Sequence, residues 1–237
     1  MKNMIHGYNK ASDAGLDTSS FSVFMEGCNL NCPYCMNCRL IKRGNPCVPN
    51  IVEKLKDDVD AYKPDMIMIS GGEPTCRILA LYKATGLFKS WGCKVGLSTN
   101  GTHPNILEKF VSKYNKIDYV SLDLKGDAEV YEKLGDSEYF FRVIHSWLIL
   151  RREKKARPDF NYEMRTTLYP PFITLDMIFG LSKLFKKDER WILQQFRLAS
   201  NMTDPKAKDV KPFEEETLKA LVEASKEAVP NVEIRYV

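Results

Sequence analysis

The chain has 237 residues, 44% hydrophobic and 28% charged, enough to close a sizeable core in one large domain or two small ones. Its 35 basic and 31 acidic side chains leave a diffuse net charge of +4, which does not point to nucleic acid. No apolar run approaches the roughly 18 residues of a membrane span, and "MKNMIHGYNKASDAGLDTSS" at the N-terminus has no secretory apolar core.

A cytoplasmic, reducing location is therefore expected, where thiols persist as thiols or metal ligands. The odd count of seven cysteines also argues against a pure disulfide framework. Along the chain, "FSVFME" (21–26) predicts a strand and "NIVEKLKDDVDAY" (50–62) a helix with apolar residues three and four apart. "DMIMIS" (65–70) is the next strand, "RILALYKATGLFKSW" (77–91) a helix and "CKVGLST" (93–99) a strand. Pro104 opens a helix over 104–114, and "IDYVSLDLK" (117–125) is the fourth strand. Helices near 127–134 and 138–154 lead to the strand "YEMRTTLYP" (162–170), stopped by Pro-Pro. A Thr-capped helix (174–185), a strand (190–198), a surface loop (199–211), a helix (212–229) and a closing strand (232–237) complete the chain. The densest basic run, "REKKARP" (152–158), reads as a solvated helix end.

Six strand–helix units without a linker-like break imply one α/β domain built on a parallel sheet, whose chemistry belongs at the C-terminal strand ends. The unusual residues stand there: Cys28 after the first strand, Gly71–Glu73 after the second and Ser98–Asn100 after the third. Asp123 and Lys125 close the fourth and share a face, Arg165 lies in the fifth, and Gln194 and Gln195 lie in the sixth. Cys28, Cys32 and Cys35 form C-x3-C-x2-C on a loop, a soft donor set suited to zinc or an iron–sulfur cluster. A closed zinc site could use Cys32, Cys35, Cys38 and Cys47; alternatively, three thiolates hold three irons and leave a fourth open. Cys93 reads as core and Cys76 as a helix-start thiol, while His6, His103 and His145 show no ligand spacing.

"CNLNCPYC" followed by "ISGGEPT" resembles the radical S-adenosylmethionine (SAM) superfamily. "GCNLNCPYCMN", "PDMIMISGGEPT", "KVGLSTNG", "DYVSLDLK", "YEMRTTLYP" and "ILQQFR" narrow the resemblance to the activating proteins of anaerobic ribonucleoside-triphosphate reductase. Met36 stands where that family usually has histidine. The resemblance implies a partial (β/α)6 barrel, with a core over about 20–198 and the segment 212–237 packed on it. It implies a [4Fe-4S] cluster on Cys28, Cys32 and Cys35, with SAM chelating the fourth iron. Reductive cleavage of SAM would then give a 5′-deoxyadenosyl radical. It places Tyr34 near the cluster or adenine, Gly71, Gly72 and Glu73 at the SAM amino group, and Ser98, Thr99 and Asn100 at the ribose. Asp123 and Lys125 would meet a SAM hydroxyl or carboxylate or form a structural ion pair. Arg165 would meet a carboxylate, and Gln194 or Gln195 the adenine. The implied partners are a glycyl radical enzyme such as anaerobic ribonucleotide reductase, and an electron donor such as flavodoxin or ferredoxin. Two rivals stay open: a small-molecule enzyme of the 7-carboxy-7-deazaguanine synthase type, and a non-catalytic zinc or iron–sulfur module.

Overall fold

All seven strands expected from the sequence form, and they lie side by side in chain order. The computed structural model describes residues 5–10, 19–44 and 48–236. Its parallel strands are β2 (Ser20–Met25), β3 (Met66–Gly71), β4 (Lys94–Thr99), β5 (Tyr119–Asp123), β6 (Asn161–Leu168), β7 (Arg190–Gln195) and β8 (Asn231–Arg235). A short strand the sequence did not reveal, β1 (Gly7–Asn9), pairs antiparallel with β2. Three residues of "GYN" carry no period-2 apolar signal, so only pairing defines them. Among the described residues the sheet runs in the order β1 to β8 with β1 and β8 at its edges, so it is open, as a partial barrel requires.

Helices cross between the parallel strands: α1 (Ile51–Tyr62), α2 (Ile78–Ser90), α3 (Pro104–Glu108), α4 (Ala128–Leu134), α5 (Glu138–Ala156), α6 (Leu175–Ser182) and α7 (Glu215–Lys226). Side-chain alternation divides the sheet into two unlike faces. Ile67, Ile69, Val95, Leu97, Val120, Leu122, Trp191 and Leu193 face the helices and are fully buried. Burial of each such side chain contributes about 1.5–3 kcal/mol. Trp191 anchors this layer, donating its indole N–H to Thr166 Oγ1 at 3.0 Å and stacking on Phe185. Truncation to alanine would cost about 3–5 kcal/mol. The other face is more polar, although it holds a small Met66–Met68–Tyr119 cluster and the buried Ile192 opposite Arg165. It carries Ser22, Ser98 and Ser121, with buried Glu163 bridged to Arg235 at 2.9 and 3.1 Å.

Three expectations shift in detail. The helix over 104–114 is α3 continued by a π turn, Lys109–Lys113, in which Tyr114 N–H reaches Lys109 O; the wider turn lets Phe110 and Val111 both enter the core. The loop 199–211 contains a 3-10 turn, Pro205–Asp209, capped by Asp204 and burying Ala207. The basic run at the end of α5 is only partly solvated: Arg157 pairs with buried Glu153 and donates to Ile117 O at 2.8 Å. Among the described residues no helix is long and apolar enough to cross a membrane.

Candidate active site

The cysteine loop leaves β2 at Met25 and returns alongside itself, with Gly27 N–H donating to Leu40 O (2.7 Å) and Cys28 N–H to Ile41 O (3.1 Å). It is tied to the end of β3 by Gly72 N–H to Met25 O (2.8 Å) and Glu73 N–H to Gly27 O (2.6 Å). This contact explains the two glycines. Gly71 has φ +114°, and a Cβ there would strike the Met25 backbone; one at Gly72 would strike Gly27 O. The sequence suggested that they admit a ligand, but what they admit first is the neighbouring loop.

A cleft of about 150 Å³ opens where these segments meet. Cys28, Cys32 and Cys35 line it together with Gly71, Gly72, Glu73, Ser98, Thr99, Asn100, Asp123, Lys125 and Arg165. Tyr34 and Gln195 fall outside it. They line an adjoining cleft of about 120 Å³ with Gln194 and Cys35, the residue common to both. Tyr34 is wedged against Tyr169 (4.8 Å between ring centres) and Phe172 (6.2 Å), and its buried hydroxyl has no hydrogen-bond partner among the described residues. Ser98 Oγ is likewise buried without a partner.

The cleft is electrically polarised. Glu73 is 1% exposed and accepts from Thr75 N–H (3.0 Å), Thr75 Oγ1 (2.6 Å), Thr99 Oγ1 (2.7 Å) and Asn100 N–H (2.6 Å), all uncharged donors. At the other wall Asp123 takes Arg165 Nε at 2.7 Å and Lys125 Nζ at 3.1 Å, so this group sums to +1. Burial alone would raise the Asp123 carboxyl, but Arg165 and Lys125 hold it at about 2. Burial opposes the charge on Lys125, yet Asp123 raises its pKa well above the usual lysine range. The structural pairing left open for Asp123, Lys125 and Arg165 is thus formed.

Sequence reasoning missed the polar ring joining the cysteine loop to the end of β4. Asn29 Nδ2 donates to Thr102 Oγ1 (2.9 Å), Thr102 Oγ1 to Asn100 Oδ1 (2.7 Å), and Asn100 Nδ2 to Asn29 Oδ1 (3.0 Å). Every member donates once and accepts once, so the ring is closed. His103, read as an ordinary surface or core residue, has Nδ1 3.0 Å from Thr75 Oγ1; because that hydroxyl donates to Glu73, the histidine nitrogen is the donor. The only available hint was the pair of asparagines within "CNLNC".

The thiols supply the chemistry for a metal group. Burial pushes Cys28 and Cys32 up to about 11 and raises Cys35, while Lys125 and backbone donors near Leu30 and Asn37 pull the other way. Soft cations favour the thiolate and reverse such a shift. Among the described residues no three His, Cys, Asp or Glu side chains gather closely enough to share one metal ion. Three thiols lining one cleft suit a polynuclear cluster, where each thiolate takes its own iron. Cys38 does not line the cleft, and Cys47 lies outside the described residues. Cys76 sits just behind the cleft, its thiol against Asn29 Oδ1 at 3.6 Å and pushed by burial up to about 12; Cys93 is buried, as expected of core.

Comparison with known proteins gives this architecture a family. Residues 22–164 match the model of the radical SAM superfamily. A protein of Methanocaldococcus jannaschii bearing the provisional name glycyl-radical enzyme activating enzyme MJ1227 is 30% identical over 92% of this chain and 90% of its own length. The 7-carboxy-7-deazaguanine synthase of Hyperthermus butylicus is 36% identical, over 37% of each chain. Among solved structures, a radical SAM methyltransferase from Sphaerobacter thermophilus superposes with a TM-score of 0.67 at 10% identity, over 92% of this chain and 66% of that one. Several others are longer, and the chain spans about half their length. The C-x3-C-x2-C loop, the parallel open sheet and the family match agree: the chain belongs to the radical SAM superfamily.

Proposed function

We propose that the chain is a radical SAM activase that installs a glycyl radical on a partner enzyme, most simply an anaerobic ribonucleotide reductase. The observation that carries the reading is the convergence of Cys28, Cys32 and Cys35 with Gly71–Glu73 and Ser98–Asn100 on one polarised cleft. When bound, a [4Fe-4S] cluster with SAM supplies one-electron cleavage of a sulfonium and a hydrogen-abstracting radical. Cys28, Cys32 and Cys35 would hold the cluster. Glu73, which has no cationic partner among the described residues, suits the SAM ammonium; Lys125 and Arg165 at the opposite wall suit its carboxylate. Ser98 and Asn100 would face the ribose, and Tyr34 and Gln195, in the adjoining cleft, the adenine. The buried walls exclude water from the reacting atoms.

The whole of 1–237 would act as one unit, with 212–237 packed on the core, served in the cytoplasm by a flavodoxin or ferredoxin. The 30% identity to a protein named as an activating enzyme, over nearly its full length, supports the activase reading. The match to 7-carboxy-7-deazaguanine synthase keeps a small-molecule substrate as the second reading. One experiment separates them: the reconstituted, reduced chain is incubated with SAM and purified anaerobic ribonucleotide reductase, and the reductase is inspected by electron paramagnetic resonance. A glycyl signal is expected; normal SAM cleavage without it overturns the activase reading.

A further inference from the structure

A second hollow is roomier than the thiol cleft. A groove of about 620 Å³ lies on the outer wall, between α4 and the start of α5 on one side and α6 on the other. Its floor is apolar, built from Val130, Phe140, Phe172, Met177, Leu181 and Leu184. Leu184, just past the end of α6, is 40% exposed, and on α6 itself Leu175 and Phe179 are 47% and 49% exposed. The groove also carries three carboxylates, Asp127, Glu129 and Asp176, against one ammonium, Lys133. That local excess of negative charge stands out in a chain of net +4. Asp127 caps α4 through Val130 N–H, but among the described residues Glu129 and Asp176 have no ion pair. Lys133 stands over the Phe172 ring at 5.7 Å instead of neutralising them.

Position matters as much as charge. Asp127 follows Lys125 of the thiol cleft by two residues, and Phe172 touches Tyr34, which precedes Cys35. Asn31 N–H donates to Leu134 O (3.2 Å), tying the cysteine loop to the end of α4. The groove therefore opens at the same rim as the cleft.

We infer that this groove docks a basic amphipathic segment of the protein substrate, apolar residues against the floor and Lys or Arg against Glu129 and Asp176, so that the substrate is anchored beside the cleft in which its reacting residue is placed. The inference rests on the reading that the substrate is a protein. It also assigns a purpose to apolar surface that is otherwise a solubility liability.

The test uses the reconstituted full chain and two fluorescent peptides of equal length, an amphipathic leucine–lysine helix former and its leucine–glutamate counterpart. Fluorescence anisotropy is expected to show the lysine peptide binding at least about tenfold more tightly, with affinity falling as salt rises. Glu129→Lys with Asp176→Lys should invert that preference, and Leu184→Ser, at an exposed floor position, should weaken both peptides several-fold. Equal affinity for the two peptides, or indifference to charge reversal, overturns the proposal. So does a concentration-dependent dimer that the charge reversal abolishes, which would give the groove to a second copy of the chain. The response of the cluster signal to SAM is read in the same samples. Its absence in the unaltered chain would sink the activase reading, whereas its retention alongside charge-indifferent peptide binding would sink only the groove.

Discussion

Two buried carboxylates, Glu73 at the C-terminal rim of the sheet and Glu189 at the opposite end, are both saturated with hydrogen bonds but differ in charge balance. Glu189 receives Arg151 Nε and Nη2 at 2.8 and 2.6 Å, Trp147 Nε1 at 2.7 Å, Tyr162 OH at 2.5 Å and Lys186 N–H at 2.7 Å. Burial alone would raise its pKa; these donors, Arg151 foremost, hold it below the usual glutamate range. Glu73 receives only hydroxyl and amide donors, and no cation lies within ion-pair reach among the described residues. Glu189 is neutralised by the protein and pins α5 to the start of β7. Glu73 is positioned by the protein and, among the described residues, left without a counter-ion, facing a cleft. Buried charge with a resident counter-ion is architecture; buried charge without one is a site for a ligand.

The comparison can be broken most sharply at Glu189. Glu189→Ala strands the Arg151 guanidinium and the Trp147 and Tyr162 donors, and denaturant unfolding should show a loss of about 3–5 kcal/mol. The molecules that remain folded should still answer SAM. Asp123 offers a test by pH. Its folded pKa, near 2, lies below the ordinary aspartate value near 4, so the stability it contributes is complete above about pH 4 and is lost as pH falls toward 2. Asp123→Asn should remove on the order of 2 kcal/mol from that acid limb. A limb unchanged by the substitution would show that the ion group is not formed in solution.

Glu73→Gln keeps the shape but turns one acceptor into a donor facing donors, costing about 1–3 kcal/mol of stability. The decisive readout is calorimetric affinity for SAM, expected to fall at least about tenfold; undiminished affinity would mean that the unpaired charge serves no ligand. Asn29→Ala opens the polar ring, with a cost of about 1 kcal/mol. Iron content should stay the same and SAM affinity should drop several-fold, since the ring couples the loop to the strand end and not the thiols to metal. The smallest effect belongs to Cys38→Ser: outside the cleft, it should change neither iron content nor the SAM response, and loss of metal would revive the closed zinc site.

Much of this was legible because strand ends announce themselves. Apolar runs of β-branched and methionine residues ending in Gly-Gly-Glu or Ser-Thr-Asn marked both the strands and the rim, and parallel pairing in chain order brought them together. Side-chain alternation put Asp123 and Arg165 on one face, and the register that sets them opposite each other makes their bond. What the sequence could not show depended on contacts between segments far apart in the chain. The Asn29–Thr102 bond spans 73 residues and the Tyr34–Phe172 contact 138, and neither has a periodicity to betray it. The glycines illustrate the same limit: the sequence reads Gly71 and Gly72 as admitting a ligand, and that they closely approach the backbone of residues 25–27 emerges only from folding. β1 was invisible because it has no pattern at all, and the groove between α4 and α6 arises from two amphipathic helices that fail to meet.

The most direct test of the central claim is anaerobic reconstitution with iron and sulfide, followed by reduction and electron paramagnetic resonance with and without SAM, on the unaltered chain and on Cys32→Ala. The account predicts about four irons per chain, a reduced-cluster signal that changes when SAM is added, and loss of both in the variant. A signal indifferent to SAM, or a chain that takes up a single zinc and no cluster, would contradict it.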